Sequence, residues 1–268
     1  MSQIEANWKL LVEPGPGRGA AGDGEFTSGA LVPGGGENRR LGKEFPGLLE
    51  AVRLADGMGL ELLELGDRAG AEERMREAGK LSFAALGPAH PLTLRLLNNL
   101  GCCVFRPRDA AKARTVFWDV WERRDGVLGG MHRDTLRSAM NLGCAKSACQ
   151  DHGEAEKLLA PVLEEWSRSL GPLHRDTLSA TENLGLCFIV SGDHQRGLGL
   201  IAQARDLFER TCGSGSRECV GASRSLAFAY LTAGEPDAAR EIQLRADRTE
   251  DLGILMGEPD LWPDEVPN

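Results

Sequence analysis

Apolar and small residues recur at intervals of three and four along much of the chain. Leu178, Thr181, Leu184, Gly185 and Phe188 fall on one stripe of a 3.6-residue helix. A turn follows at Gly192-Asp193, and the spacing predicts a second helix running to about Arg210. The same turn is expected at Gly153-Glu154 and at Gly234-Glu235. Small residues at Ala113, Ala155, Gly197 and Ala239 mark where paired helices approach closely. A helix hairpin cannot bury its apolar stripe alone, so such units must stack on one another.

The hairpin repeats. Leu86-Gly87-Pro88-Ala89-His90 is followed by Leu128-Gly129-Gly130-Met131-His132 and by Leu170-Gly171-Pro172-Leu173-His174, each 42 residues after the last. Thr93, Thr135 and Thr177 share a register, as do Asn99, Asn141 and Asn183, then Leu100, Leu142 and Leu184, then Gly101, Gly143 and Gly185. A fourth unit begins near Cys212, with Ser225, Leu226 and Ala227 in the Asn-Leu-Gly slot. Residues 44–85 keep Gly59, Asp67 and Ala71 in register and read as a degenerate first repeat, suited to a terminal cap. The expected division is therefore a Gly-rich arm at 1–43, the degenerate repeat at 44–85, four repeats at 86–127, 128–169, 170–211 and 212–252, and an acidic tail at 253–268.

Charge narrows the function. The net charge of −9 argues against general nucleic-acid binding, which needs a basic face to displace phosphate counterions. No apolar run approaches the length of a membrane span. The first twelve residues, MSQIEANWKLLV, lack a basic start and a long apolar stretch, so a cytoplasmic location is expected, with a cleaved organellar form left open. Seven cysteines occur without a Cys-x-x-Cys pair, and the five histidines follow the repeat rather than metal-ligand spacing; neither metal nor cofactor is expected.

His132-Arg133-Asp134-Thr135-Leu136 and its copy at His174-Arg175-Asp176-Thr177-Leu178 resemble the start of a kinase catalytic loop. The metal-binding Asn of such a loop lies five residues after the Asp, a slot held here by Ala139, whereas Asn141 and Asn183 lie seven residues on. Gly17-x-Gly19-x-x-Gly22 sits in a low-complexity stretch with no strand before it. No nucleophile elbow, P-loop or zinc-protease motif occurs, so no enzyme is expected. The repeated pentapeptide reads instead as a helix start, with Asp and Thr oxygens accepting from the first turn and His in the loop before it. His152 and His194 occupy a second repeated slot, expected at an exposed turn.

The segments LGPAHPLTLRLLNNLG and LGPLHRDTLSATENLG resemble the 42-residue tetratricopeptide repeat of kinesin light chains. The likeness is strong over 86–211, moderate over 212–252 and weak over 44–85. It implies an all-α fold, a right-handed α-α superhelix of helix hairpins. Two departures stand out: Arg106-Pro107-Arg108-Asp109 replaces the usual turn, and Gly197-Leu198-Gly199 is a poor helix former, predicting a loose third unit. Nothing resembles the coiled coil by which kinesin light chains meet the motor.

The resemblance further implies a concave groove lined by the first helix of each repeat. Its positions are Arg95, Asn98, Asn99, Cys102, Phe105 and Arg106, then Arg137, Met140, Asn141, Cys144, Ser147 and Ala148. The third repeat adds Ser179, Glu182, Asn183, Leu186, Ile189 and Val190, and the fourth Gly221, Arg224, Ser225, Phe228, Leu231 and Thr232. In that family an Asn at the slot of Asn99, Asn141 and Asn183 grips the backbone of an extended peptide, for which an amide supplies both donor and acceptor. The competing reading is that these amides bond neighbouring repeats. Arg95, Arg106, Arg137 and Arg224 outnumber Glu182 and suit an acidic ligand. The C-terminal EPDLWPDEVPN sets Leu261 and Trp262 among carboxylates; it resembles a ligand for such a groove, or else an acidic tail whose Trp caps the last helix pair. The expected function is thus a non-catalytic adaptor that binds a protein or peptide partner. The alternative is a structural subunit fixed in a larger complex.

Overall fold

The computed structural model describes residues 46–105 and 110–256; within them there is helix and loop and no strand. The helices among these residues are α1 (Pro46–Glu64), α2 (Arg68–Leu86), α3 (Pro91–Val104), α4 (Ala110–Leu128), α5 (Arg133–Ala148), α6 (His152–Ser169), α7 (Arg175–Ser191), α8 (His194–Cys212), α9 (Arg217–Ala233) and α10 (Pro236–Met256). Contacts divide the chain into two units, Met1–Leu158 and Leu159–Asn268, with the boundary inside α6. In the first, α1, α2, α3 and α4 each pack on the next helix, as far as α5, and α1 also touches α3. In the second, α7 through α10 do the same, and α7 also touches α9.

The predicted stripes form the cores. In the first unit, Ala71, Met75 and Ala78 of α2 bury against Leu92, Leu96 and Leu100 of α3, and Phe117 of α4 against Leu142 and Ala145 of α5. In the second, Leu178, Phe208 and Ala222 join α7, α8 and α9. Among the described residues no helix is long and apolar enough to cross a membrane.

Helix starts differ from the expectation in which atom caps them. His90, His132 and His174 are the N-caps of α3, α5 and α7, and each Nδ1 accepts from the backbone N–H two residues on, at 3.1–3.2 Å. Asp134 and Asp176 already lie within the helix, so the free N–H groups face the imidazole instead. The fourth copy of this slot is Ser216, whose hydroxyl accepts from Cys219 at 3.2 Å. His152 and His194 are half-buried at the first positions of α6 and α8 rather than exposed.

The turns also shift register. Gly192 and Gly234 end α7 and α9 in the left-handed conformation, φ +94° and +85°. The residue 42 before Gly192 is Gln150, at φ +66°, so Gln150-Asp151 is the matching turn, whereas Gly153 lies inside α6. The third repeat is not interrupted at its glycines: α8 runs unbroken from His194 to Cys212. A Cβ on Gly197 would lie 2.8 Å from the Gly185 carbonyl oxygen, so this glycine permits the close crossing of α7 and α8.

Candidate functional site

The predicted groove residues among those described sit on α3 and α5 in the first unit, with Phe105 at the C-cap of α3, and on α7 and α9 in the second. Arg106 lies outside the described residues, as do Leu261 and Trp262 of the tail and the Gly-rich arm.

In the first unit the polar slots bond across repeats in a fixed step. Asn99 donates from Nδ2 to Asp56 Oδ1 at 2.8 Å, and Asn141 donates from Nδ2 to Asn98 Oδ1 at 3.1 Å. Both partners lie 43 residues apart. The second unit repeats the step once: Ser225 Oγ donates to Glu182 Oε1 at 2.6 Å, again across 43 residues. The residue 43 before Asn183 is Met140, a thioether with no oxygen to offer. The competing reading of the Asn slot is thus realised at Asn99 and Asn141, each through one N–H. The amide has a second N–H and a carbonyl oxygen besides.

The arginines stand in a graded environment. Arg95 reaches Asp56 Oδ2 with Nη2 at 2.7 Å, its side chain 44% exposed and that of Asp56 4%. Arg137, 42 residues on, lies 3.9 Å from Asp134 Oδ1. Arg224 is exposed on α9. Burial raises the Glu182 carboxyl above its usual range, with the Ser225 hydroxyl working against that shift. Cys102 and Cys144 are half-buried, and burial pushes the Cys102 thiol up to about 11, which favours its protonated form.

Not every predicted groove position is open. Asn98 and Ser147 are buried, and Ile189 belongs to the core that α7 and α8 share with α9. The contrast with the last helix pair is informative. Leu186, Ile189 and Ala202 pack in one apolar cluster with Leu226, Ala229 and Ile242. Their counterparts 42 residues on are Phe228, Leu231 and Leu244, and all three are exposed, Leu231 by 59%. These three thus form an exposed end face of the last described hairpin, where their counterparts one repeat earlier are packed. Val190 remains an exposed apolar residue on α7.

Sequence reasoning missed the buried Asp56 that pairs with Arg95 and Asn99, and it missed Arg124 as well. Arg124 of α4 is 5% exposed and donates from Nη1 to the Asp134 carbonyl oxygen at 3.0 Å and to Ser138 Oγ at 2.7 Å. Ser138 in turn lies 3.5 Å from Asn98 Oδ1, the atom that accepts from Asn141.

Residues 135–176 match the family model described as tetratricopeptide repeat. Residues 135–176 thus carry a tetratricopeptide repeat. No curated protein matches it in sequence. In structure the chain is similar to the TPR-like repeats of a kinesin light chain from Podosopora anserina, at 20% identity and TM-score 0.54, over 75% of this chain and 95% of that one. It is similar to BtubC (BKLC) from P. vanneervenii at 17% identity and TM-score 0.58, over 99% and 96%. A Rap protein solved with competence and sporulation factor matches at 14% identity and TM-score 0.63, over 77% of this chain and 57% of the Rap protein. These likenesses place the fold as an all-α tetratricopeptide solenoid. Such folds mediate contacts between proteins and are typically non-catalytic.

Proposed function

We propose that the chain is a non-catalytic adaptor whose first helices bind an extended, acidic peptide. The observation that carries the reading is the placement of Arg95 and Asn99 on α3 and of Arg137 and Asn141 in the same slots of α5, with Asn183 in the Asn99 slot of α7 and Arg224 in the Asn98 slot of α9. The amides offer donor and acceptor to a peptide backbone of any sequence, while the guanidinium groups favour carboxylates over neutral side chains. The bond of Asn99 to Asp56 and that of Asn141 to Asn98 hold these amides in place before a ligand arrives. The Rap protein of similar fold is solved with a bound factor, which is consistent with the reading. A labelled, end-blocked peptide with Glu at alternate positions tests it by fluorescence anisotropy against the full chain. Arg137→Ala should weaken binding about tenfold, the scale of one charge-assisted contact; an unchanged affinity would count against the groove.

A second reading concerns the tail. The exposed set Phe228, Leu231 and Leu244 corresponds to positions that another hairpin covers one repeat earlier, and α10 ends only a few residues before Leu261 and Trp262. This favours a tail that shields the end face over one that fills the groove. Truncation after Met256 should lower Tm and raise binding of a hydrophobic dye, while leaving the acidic-peptide affinity unchanged. A gain in that affinity would instead make the tail a competing ligand.

A further inference from the structure

The first hairpin leaves open a face that is covered in the later repeats. Leu54 and Met58 lie four residues apart on α1 and are 59% and 48% exposed. The four later residues in each slot are buried, from Leu96 to Ala222 for Leu54 and from Leu100 to Leu226 for Met58. Leu96 and Leu100 are covered by the second helix of the preceding repeat, in one core cluster with Ala71, Met75 and Ala78 of α2. Among the described residues no helix precedes α1 to do the same. The other side of α1 is already packed, with Ala55 and Leu62 on that cluster and Asp56 bonded to Asn99.

A repeat that ends a solenoid needs a polar outer face. Two large apolar side chains in open slots break that rule. The apolar part of the face is also short. One turn beyond Met58 the stripe reaches Glu61, which is exposed, whereas its counterparts Cys103, Ala145 and Ala229 are buried. A full helix laid along α1, from another copy or another protein, would take that carboxylate out of water, at the cost of burying a charge. A short segment over Leu54 and Met58 leaves it hydrated.

The chain itself supplies such a segment. Residues 1–45 precede α1 and lie outside the described residues. Ile4, Trp8 and Leu11 stand at spacings of four and three, the spacing of Ala71, Met75 and Ala78 on α2. Pro14-Gly15 follows and limits this stripe to about three helical turns. Residues 26–44, one period before α2, are less suited, because Pro33-Gly34-Gly35-Gly36 in their middle opposes a helix. The reach is sufficient. Residues 13–45 join the stripe to α1, and a Gly-rich chain of that length spans about 30 Å on average. With 19 residues, α1 is about 28 Å long.

We propose that residues 4–12 dock on the open face of α1 as a short amphipathic helix, with Trp8 against Leu54 and Met58. The segment takes the place that the second helix of a preceding repeat would fill. Its tether holds it near the face at an effective concentration on the order of 1 mM. This docking is separate from the groove. Leu54 and Met58 each stand two residues from Asp56, on the opposite side of α1 from the carboxylate that meets Arg95 and Asn99.

The full chain with photoreactive benzoylphenylalanine in place of Met58 tests the proposal, in an equal mixture of heavy- and light-isotope protein, with crosslinks mapped by mass spectrometry. The expected product joins position 58 to residues 4–12 of the same molecule, and Trp8→Ser should lower its yield about tenfold. A product that joins two molecules overturns the proposal and makes the face a contact between copies. A crosslink only to other parts of the chain, or none, also overturns it. Hydrogen exchange of the unsubstituted protein gives an independent reading. Deleting residues 2–12 should speed exchange of the α1 amides about tenfold, and a synthetic peptide of residues 2–13 at about 1 mM should restore the slower rate. Exchange that the deletion leaves unchanged overturns the docking.

Discussion

Arg124 donates to the hydroxyl of Ser138 at 2.7 Å across the α4–α5 interface, where the equivalent slots pair Trp166 or Phe208 with alanine. The two positions form one unit and should show it energetically. Ser138→Ala leaves a buried guanidinium one acceptor short, at a cost of about 1–3 kcal/mol. In an Arg124→Met background the same change should be nearly neutral, because no charge is left unpaired. Denaturant melts of the four proteins give the coupling; additivity would mean that the bond contributes nothing.

The turn before α6 stores strain that its counterparts avoid. Gln150 adopts φ +66°, where Gly192 and Gly234 serve the other repeats. Left-handed backbone costs a non-glycine residue about 1–2 kcal/mol, part of which glycine's greater freedom in the unfolded chain offsets. Gln150→Gly should therefore raise stability by about 0.5–1 kcal/mol, or about 2 °C in Tm. Gly192→Gln, moved the opposite way, should lower it.

Two helical glycines should respond in opposite directions to alanine. A Cβ on Gly101 would lie 2.4 Å from the Phe117 ring, so Gly101→Ala should destabilise by about 1–3 kcal/mol. Nothing lies within 4 Å of a Cβ on Gly153, so Gly153→Ala should gain up to about 1 kcal/mol of helix propensity. Thermal melts of both variants test the assignment of Gly153 to the helix rather than to the turn.

The imidazole cap of α3 introduces a pH dependence. His90 caps through an unprotonated Nδ1, and burial lowers its pKa from 6.5. The folded state thus binds the proton less readily than the unfolded one. The contribution of His90 is fully present above about pH 6.5 and is lost as pH falls through the lowered value. His90→Ser, the cap used at Ser216, should remove that share of the acid sensitivity at little cost near neutral pH. Urea melts at pH 7.5 and pH 5 measure it; equal acid sensitivity in both proteins would show that His90 does not titrate with folding.

The repeat and its helix pairs are legible in the sequence because the period of 42 superimposes the same Leu, Asn and Gly positions again and again. What escapes are features that break the pattern in a single unit. Gly153 resembles a turn glycine, yet the register places that turn on Gln150, three residues earlier. Asp and Thr usually cap helices, whereas here an imidazole occupies the N-cap slot itself. Gly197 weakens a helix by propensity but allows the contact with Gly185 that the hairpin needs. Arg124 lies on a second helix, outside any groove pattern. Its signal was the column Ser82, Arg124, Trp166 and Phe208, readable only once the slot is known to be buried. The amides at Asn99 and Asn141 could be located from sequence, but their partners depend on how neighbouring first helices pack.

The most direct test of the account is site-specific photo-crosslinking to the labelled alternate-Glu peptide, with the photoreactive residue placed in turn at Val190 on α7 and at Trp118 on α4. Both positions are exposed, but only the first lies on a first helix. The account predicts a crosslink from Val190 that excess unlabelled peptide suppresses, and none from Trp118. Crosslinking from Trp118 alone would contradict it and place the binding surface on the second helices.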